Sequence, residues 1–564
     1  MAIAFLWALL LFVIVVLGPG WPVASRLGLA PLERICAAVV LSLVIVHLLA
    51  FASYVAGLPP AALRLIPLLA AAGLLAGGRR LVAIFREMPV RTLLLGQALV
   101  TAACLGWLLL VASYSGGGWA GDWFEHWQRT LFFLRHDPLD TRFLGQYALP
   151  ARPPLANVVT GVLLAATTTD FAHYQFFMTL LNSLAFLPAA LLAHRFGGRR
   201  TAIAVLAALV MVNPSFVENA TFAWTKLLCV FFVLSGLYFF LVAAARRGPG
   251  SADVLCGVAL AAGILTHYSA APYAVLLAAG WWFVGRRRPS VPGARRRAAL
   301  AGGAAVLLLA TWFGWSFATY GWRVTLLSNT SVTAVAPSRL GQLEDIALNL
   351  RDTLVPHFLR TVDPALIAQR SPWGAWRDWF FQAYQLNLFL MLGSVGWLVL
   401  LAALAEPWRR ALPPTRGFWG ALAGGSVLLG VAVFGGRDHW GVAHLCLQSL
   451  VLLGLAVIAA RWHALGRFWR GLLVAGAAAD FLFGIALHFA VQSYVLDAWI
   501  TPRRPPAEWL ASYSQTDLMN LAAKVQLRLV FFGDLFAASP ALLLALPLCL
   551  LMLALARVHA SRDS

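Results

Sequence analysis

The stretch FAWTKLLCVFFVLSGLYFFLVAAARR, residues 222–247, decides the fold class of this chain. Its central run of about twenty apolar residues, when helical, matches the roughly 30 Å hydrocarbon core of a bilayer. A tryptophan and a lysine stand at one end, and two arginines stand at the other. Tryptophan favours the membrane surface, and arginines favour the cytoplasmic ends of spans. The stretch therefore predicts a transmembrane helix whose Lys226 end faces outward.

Similar apolar runs recur along most of the 564 residues, of which 61% are hydrophobic and 11% charged. Soluble proteins carry about a quarter charged residues, so a soluble protein is excluded. The pattern predicts an all-α, polytopic transmembrane helix bundle of about 13–15 spans. The chain is expected to divide into N-terminal additional helices (1–91), a core (92–320) with a large outer loop (114–170), a further outer loop (321–383), and C-terminal helices (384–564) with an outer loop (491–537).

The net charge of +20 raises the question of a nucleic-acid partner. The arginines gather in short loops at the ends of apolar runs, which is a topology signal and excludes a nucleic-acid platform. Placing those loops in the cytoplasm puts 114–170, 213–221 and 435–440 outside. We therefore expect a multi-pass protein of a bacterial inner membrane, with its chemistry on the periplasmic side.

The segment GGGWAGDWFEHWQRTLFF, residues 116–133, gathers charges in an otherwise apolar chain. In a helix, Asp122, Glu125, His126 and Arg129 would lie on one stripe at i, i+3, i+4 and i+7. Large apolar side chains would cover the opposite side, as in an amphipathic helix at the membrane interface. A solvated face with ordinary i to i+4 ion pairs explains the same pattern, so the stripe alone does not establish a site.

Three features in order resemble a known superfamily: Asp122 at the start of an interfacial helix, Arg-Pro-Pro-Leu at 152–155, and Gly-Arg-Arg at 198–200. This layout resembles the GT-C superfamily of polyprenyl-phosphate-dependent glycosyltransferases. It is most similar to the family 39 branch of protein mannosyltransferases and lipid A aminoarabinose transferases. That branch carries an Asp-Glu pair and Lys-Pro-Pro-Leu, whereas this chain has Asp122-Trp123 and begins the second motif with Arg152.

The resemblance implies an inverting transferase that moves a hexosyl or pentosyl unit from a polyprenyl-phosphate donor to a glycan, lipid or protein acceptor. In that chemistry Asp122 would be the general base for the acceptor hydroxyl. Arg152 would hold the departing phosphate through its planar fork. Glu125 or His126 would orient the base or bind sugar hydroxyls, and a purely structural role for either is equally consistent.

Further basic residues stand at the outer ends of predicted spans: Lys226, His267, Arg437 and His439. Together with Arg129 of the interfacial helix, they are candidate substrate-binding residues. A charge within a span is costly and usually has a partner or a function. Lys226 beside Trp224 is also compatible with a side chain that reaches to the interface.

No organic cofactor is expected. A divalent metal on Asp122, Glu125 and His126 is possible but not favoured, because no second acidic cluster converges on them. A transporter or flippase of lipid-linked sugar remains the alternative, since Asp480 lies near the middle of an apolar run.

Overall fold

The computed structural model describes residues 2–111, 122–246, 248–287, 293–328, 338–356, 379–405, 416–434 and 441–490, together with residues 359 and 549. Within these residues the regular structure is helical, and the one strand-like pairing is an isolated bridge between Phe143 and Tyr147. The predicted all-α class is confirmed.

The α-helices are Ala2–Leu17, Trp21–Ala24, Pro31–Val55, Leu65–Phe85, Met88–Leu108, Asp122–Arg135, Leu155–Ala165, Phe171–Ser183, Phe186–Gly197, Thr201–Met211, Pro214–Thr221, Lys226–Ala245, Ser251–Thr266, Ala271–Arg287, Ala294–Leu327, Arg339–Leu354, Leu388–Met391, Gly396–Ala405, Arg416–Phe434, Ala443–Cys446, Gln448–Ala460 and Arg467–Asp480. A π-helical segment, Phe481–Leu487, continues the last of these. Short 3₁₀ turns occupy Pro60–Arg64, Leu149–Ala151 and Tyr268–Ala270.

In the described part of the chain, eight helices are long and apolar enough to cross a membrane, or nine if one bent pair counts as a span. Five shorter apolar helices accompany them. The protein is therefore a multi-pass membrane protein. The apolar runs 384–405 and 440–460, each long enough in sequence for one span, are divided by a break into a single helical turn and a longer helix. The apolar run 538–558 lies almost entirely outside the described residues.

The centre of the bundle is formed by the helices within residues 171–197 and by Lys226–Ala245, which are buried along nearly their whole length. The Lys226–Ala245 helix packs against Ser251–Thr266, which in turn packs against Ala294–Leu327. The peripheral helix Leu65–Phe85 exposes Leu68 and Leu75. Exposed leucines on outer helices are the arrangement expected where lipid replaces water around the bundle.

A sharp bend directs the chain into the site. Thr201–Met211 and Pro214–Thr221 meet at 71°. Asn213 accepts a hydrogen bond from the Phe216 amide (2.8 Å), and Pro214 suits a first helical position because no amide hydrogen is needed there. Every residue of Pro214–Thr221 is buried. The segment predicted as outer loop 213–221 is therefore a packed helix.

Candidate active site

Four segments that are distant in sequence meet beside the bent helix pair. We call them the site helix (Asp122–Arg135), the proline segment (residues 149–155), the tryptophan turn (residues 222–226) and the histidine turn (residues 267–270). Hydrogen bonds and charge contacts join each segment to at least one of the others, as described below. The four segments bring together seven of the predicted site residues.

The polar stripe of the site helix is buried. The exposed fraction is 0% for Glu125 and Arg129 and 5% for His126. On the other face, the Trp127 indole donates a hydrogen bond to the Thr169 carbonyl (3.2 Å). The interpretation of the stripe as a solvated face is therefore wrong, because the proline segment covers it. Buried charges require partners, and the partners define the site.

Arg129 joins the site helix to the start of the proline segment. Its Nε and Nη2 lie 2.8 and 2.7 Å from Glu125 Oε1, and its Nη1 donates to the Leu149 carbonyl at 2.7 Å. Nη2 also reaches the Ala148 carbonyl at 3.2 Å, and the guanidinium lies 4.2 Å from the centre of the Phe143 ring. The protein itself uses these donors, so Arg129 is an anchor and does not fit the predicted substrate-binding role.

Arg152 lies on the other side of Glu125. Its Nε is 3.5 Å from Glu125 Oε2, and 13% of its side chain is exposed. The preceding backbone is fixed because the Tyr268 hydroxyl donates to the Pro150 carbonyl (2.8 Å). Within the described residues, the Arg152 guanidinium makes no other ion pair. Part of this cation is therefore available to a ligand.

The tryptophan turn brings a hydrogen-bond donor and a second cation to Asp122. The Trp224 indole donates to Asp122 Oδ2 at 3.2 Å. Lys226 Nζ lies 3.4 Å from the centre of the same indole, an arrangement in which the ring face attracts the cation. Lys226 is 5% exposed, so it does not extend to the interface as a surface lysine would. In the part of the chain that the structure describes, no carboxylate pairs with Lys226 within ion-pair distance.

The two carboxyl groups of the site helix have opposite electrostatic environments. Burial raises the pKa of Asp122, and the neighbouring Glu125 charge adds to this effect; Arg152, Lys226 and the Trp224 donor oppose it without cancelling it. Burial also acts to raise the pKa of Glu125, but Arg152 and Arg129 outweigh it and hold the pKa at about 2. Two carboxyl groups whose pKa values are separated by their surroundings indicate different roles. The pKa of Glu125 is therefore held low, whereas that of Asp122 is raised.

Two histidines border this cluster. Burial and the nearby cations lower the pKa of His126 to about 3, so its ring is neutral at pH 7. Its Nδ1 is buried and has no hydrogen-bond partner within the described residues. His267 Nδ1 lies 2.8 Å from Ser269 Oγ, and its charged neighbours include Lys226 and Arg152. His126 Nδ1 is therefore a buried ring nitrogen without a partner in the described part of the chain, whereas His267 Nδ1 is bonded within the histidine turn.

Two of the predicted site residues, Arg437 and His439, fall outside the described residues. Asp480 is far along the chain in a different environment: its Oδ1 accepts from the Tyr384 hydroxyl (2.9 Å), and its Oδ2 accepts from the Ser394 amide (2.8 Å). Among the described residues, no three His, Cys, Asp or Glu side chains are grouped so as to hold a metal ion. The absence of a metal requirement stays a prediction.

Two site residues are missing from the sequence-based set. Trp224 contacts both Asp122 and Lys226, and Tyr268 fixes the backbone before Arg152. Each stands next to or two residues from a predicted charged residue, in AWTK and THYS. Their polar atoms could have been suspected, because a buried indole or phenol usually finds a hydrogen-bond partner.

Comparisons with known proteins agree in part with this description. Residues 102–287, about a third of the chain, match the model of the family described as dolichyl-phosphate-mannose-protein mannosyltransferase. No match was found among curated protein sequences.

Two solved structures are similar over most of the chain. The first is ArnT from Cupriavidus metallidurans bound to undecaprenyl phosphate, with 15% identity, a TM-score of 0.42, and coverage of 76% of each chain. The second is the archaeal oligosaccharyltransferase AglB from Archaeoglobus fulgidus, in complex with an inhibitory peptide and a dolichol-phosphate. It has 14% identity, a TM-score of 0.37, and coverage of 74% of this chain and 59% of AglB. The family match confirms the resemblance to polyprenyl-phosphate-dependent glycosyltransferases for residues 102–287, the region that supplies every described member of the site.

Proposed function

We propose that this protein is an integral membrane glycosyltransferase that moves a sugar from a polyprenyl-phosphate donor to an acceptor hydroxyl. One observation carries the proposal: two cations that are incompletely neutralised, Arg152 and Lys226, border one partly buried carboxyl group, Asp122. The region matched by the mannosyltransferase family model contains all three residues.

The charge balance of the site favours an anionic ligand. The site holds two acidic side chains, Asp122 and Glu125, and three basic ones, Arg129, Arg152 and Lys226. Arg129 forms the closest ion pair with Glu125, whereas Arg152 contacts Glu125 only at 3.5 Å. Arg152 and Lys226 therefore remain incompletely neutralised around Asp122. Fixed cations in a site with little water stabilise the charge that develops on a departing phosphate. A polyprenyl-phosphate sugar supplies that phosphate at the depth of the membrane surface.

Asp122 then acts on the acceptor. Its carboxylate takes the proton of the acceptor hydroxyl while the hydroxyl oxygen forms a bond to the anomeric carbon. The bond between that carbon and the phosphate oxygen breaks, and its electron pair leaves with the polyprenyl phosphate beside Arg152 and Lys226. A single displacement of this kind inverts the anomeric configuration. His126 supplies a neutral ring nitrogen next to the base, suited to a sugar hydroxyl.

The distribution of arginines supports placing this reaction on the outer, periplasmic face of a bacterial inner membrane. A hexosyl or pentosyl donor and a glycan, lipid or protein acceptor are all compatible with the proposed chemistry.

The alternative function, a flippase, depends on a charged residue along a transport path. Asp480, the candidate for that charge, is instead paired with a hydroxyl and a backbone amide, and a Cβ at Gly393 would approach its Oδ2 to 2.6 Å. These contacts are typical of a structural carboxylate.

Consumption of the donor by purified protein in detergent tests the proposal, because vectorial transport cannot be scored there. Wild-type protein is expected to release polyprenyl phosphate from a polyprenyl-phosphate sugar and to transfer the sugar to an added acceptor. Intact donor after prolonged incubation with a panel of glycan, lipid and peptide acceptors would contradict the proposal.

Arg152→Ala is expected to weaken equilibrium binding of a polyprenyl phosphate by roughly 10- to 100-fold, since charge-assisted hydrogen bonds contribute about 1.5–3 kcal/mol. Arg152→Lys should restore part of the affinity, because it keeps the charge and loses the planar fork. The matched control is Arg246→Ala, which removes a partly exposed arginine that pairs with Glu33. Equal affinities for Arg152→Ala and wild type would remove Arg152 from the phosphate site.

A further inference from the structure

We infer that Asn182 is a positioning residue for Asp122. Its side-chain amide holds the tryptophan turn in place, so that the Trp224 indole keeps its hydrogen bond to the Asp122 carboxylate. This inference rests on the proposed function, and it concerns a residue that touches none of the reacting groups. Asn182 lies in the helix Phe171–Ser183 and is completely buried.

The Asn182 amide contacts the chain before, within and after the tryptophan turn. Its Nδ2 donates to the Trp224 carbonyl at 2.8 Å and to the Asn219 carbonyl at 3.3 Å. Its Oδ1 accepts a hydrogen bond from the Leu228 amide at 3.2 Å. One side chain therefore links the end of the bent helix, the turn, and the first turn of the helix that carries Lys226. Among neutral side chains, only the amides of Asn and Gln offer both an acceptor oxygen and two N–H donors, and Gln is one methylene longer.

The tryptophan turn needs such a restraint because its backbone is strained. Ala223 has φ +59°, a left-handed conformation that a residue with a Cβ adopts at a cost in conformational energy. Strained backbone of this kind persists where surrounding contacts over-determine it, and it is often found at functional sites. The Asn182 bond to the Trp224 carbonyl acts on the residue immediately after Ala223.

The restrained turn determines where the Trp224 indole lies. The indole Nε1 lies 3.2 Å from Asp122 Oδ2, and the centre of the indole ring lies 3.4 Å from Lys226 Nζ. A donor to the carboxylate lowers the pKa of Asp122 and so limits the rise caused by burial. If the turn relaxes, Asp122 loses this donor and is protonated at a higher pH. A base that is protonated at a higher pH is inactive over a wider acidic range.

Asn182→Ala tests the inference through the pH dependence of kcat/KM. We expect a loss of roughly tenfold in kcat at neutral pH and a shift of the acidic limb to higher pH. Trp224→Phe keeps an aromatic ring but removes the indole donor, and it should shift the limb in the same direction. If Asn182 acts through Trp224, the shift in the double variant will equal that of Trp224→Phe alone, because the two changes remove the same contact.

Two further variants separate a loss of the Trp224 contact from a general loss of helix packing. Asn182→Leu keeps a similar side-chain size while removing the amide donor and acceptor without adding a titratable group, and it tests the inference if Asn182→Ala fails to fold. Ser183→Ala is the matched control: Ser183 is also buried in the same helix, but it bonds to Gln97 and Thr101. The control should leave the pH profile unchanged. An unshifted limb in both Asn182 variants, or additive shifts with Trp224→Phe, would overturn the inference.

A structure of the Asn182→Leu variant gives a result that does not depend on catalysis. We expect the Trp224 indole to have left hydrogen-bond distance of Asp122. If wild-type protein transfers no sugar, the proposed function fails while this structural result still decides the role of Asn182. An unchanged contact between Trp224 and Asp122 would contradict that role.

Discussion

Asp122→Asn is expected to lower kcat for sugar transfer by about 10²–10⁴-fold, the contribution typical of a positioned general base. The amide is close in size to the carboxylate and can still accept the Trp224 hydrogen bond, so the fold should persist. It cannot take the proton of an acceptor hydroxyl. Transfer measured at saturating donor and acceptor, together with polyprenyl phosphate affinity, checks this expectation.

The matched control for Asp122→Asn is Asp140→Asn, which neutralises an exposed carboxylate that follows the site helix. That control should retain wild-type turnover. Asp122→Asn with kcat near that of wild type would exclude Asp122 as the base. A lost affinity for polyprenyl phosphate with unchanged kcat would instead assign Asp122 to binding.

The pH profile of the wild-type protein reports on the same group. Asp122 must be ionised to accept a proton, and burial raises its pKa above that of an exposed aspartate. The kcat/KM is therefore expected to fall as the pH drops through this raised pKa, at a higher pH than for an ordinary carboxylate. The acidic limb should be absent from the residual activity of Asp122→Asn.

Arg129→Met is expected to destabilise the protein by about 3–5 kcal/mol, the usual cost of leaving a buried charge without one of its partners. Glu125 would keep only the 3.5 Å contact to Arg152, and the Leu149 and Ala148 carbonyls would lose their donors. The melting temperature in detergent measures the effect. Arg129→Met combined with Glu125→Gln removes the uncompensated charge, so the double variant should melt closer to wild type than Arg129→Met alone.

The ion pair also predicts how stability depends on pH. The pKa of Glu125 is about 2 in the folded protein, against an ordinary value of 4.5. A carboxyl group with a lowered pKa contributes stability that is complete above its unfolded pKa and is lost as the pH falls through its folded pKa. The Glu125 contribution is therefore present above about pH 4.5 and disappears towards pH 2.

The coupling of the two residues is tested by the variants. Equal melting temperatures for Arg129→Met and for Arg129→Met combined with Glu125→Gln would show that Arg129 and Glu125 are not coupled.

The helical class and the polar stripe of the site helix followed from sequence because both are local properties. Apolar length identifies spans, and a spacing of three and four places Asp122, Glu125 and Arg129 on one face. Periodicity does not predict which segment packs against that face. In the structure the proline segment covers it, and the Leu149 carbonyl accepts a hydrogen bond from Arg129, which the sequence analysis predicted to bind substrate. A backbone acceptor has no signature in sequence, so the pattern could not reveal this partner.

The meeting of distant segments also escaped the sequence. Asp122 and Trp224 are 102 positions apart in sequence, yet a hydrogen bond joins them. The sequence shows that Lys226 is a charge at the end of a span. It does not show whether this lysine reaches the membrane interface or is buried, because the neighbouring residues are the same in both cases. The bend before Pro214 buries the segment that leads to Lys226 and so makes the lysine a buried one.

A structure of the protein with undecaprenyl phosphate bound tests the proposed site most directly. We expect the phosphate oxygens within hydrogen-bond distance of the Arg152 guanidinium and the Lys226 ammonium, with the isoprenoid chain in the bilayer and the Asp122 carboxylate facing the phosphate. A phosphate held by other residues, with Arg152 and Lys226 remote from it, would contradict the proposal.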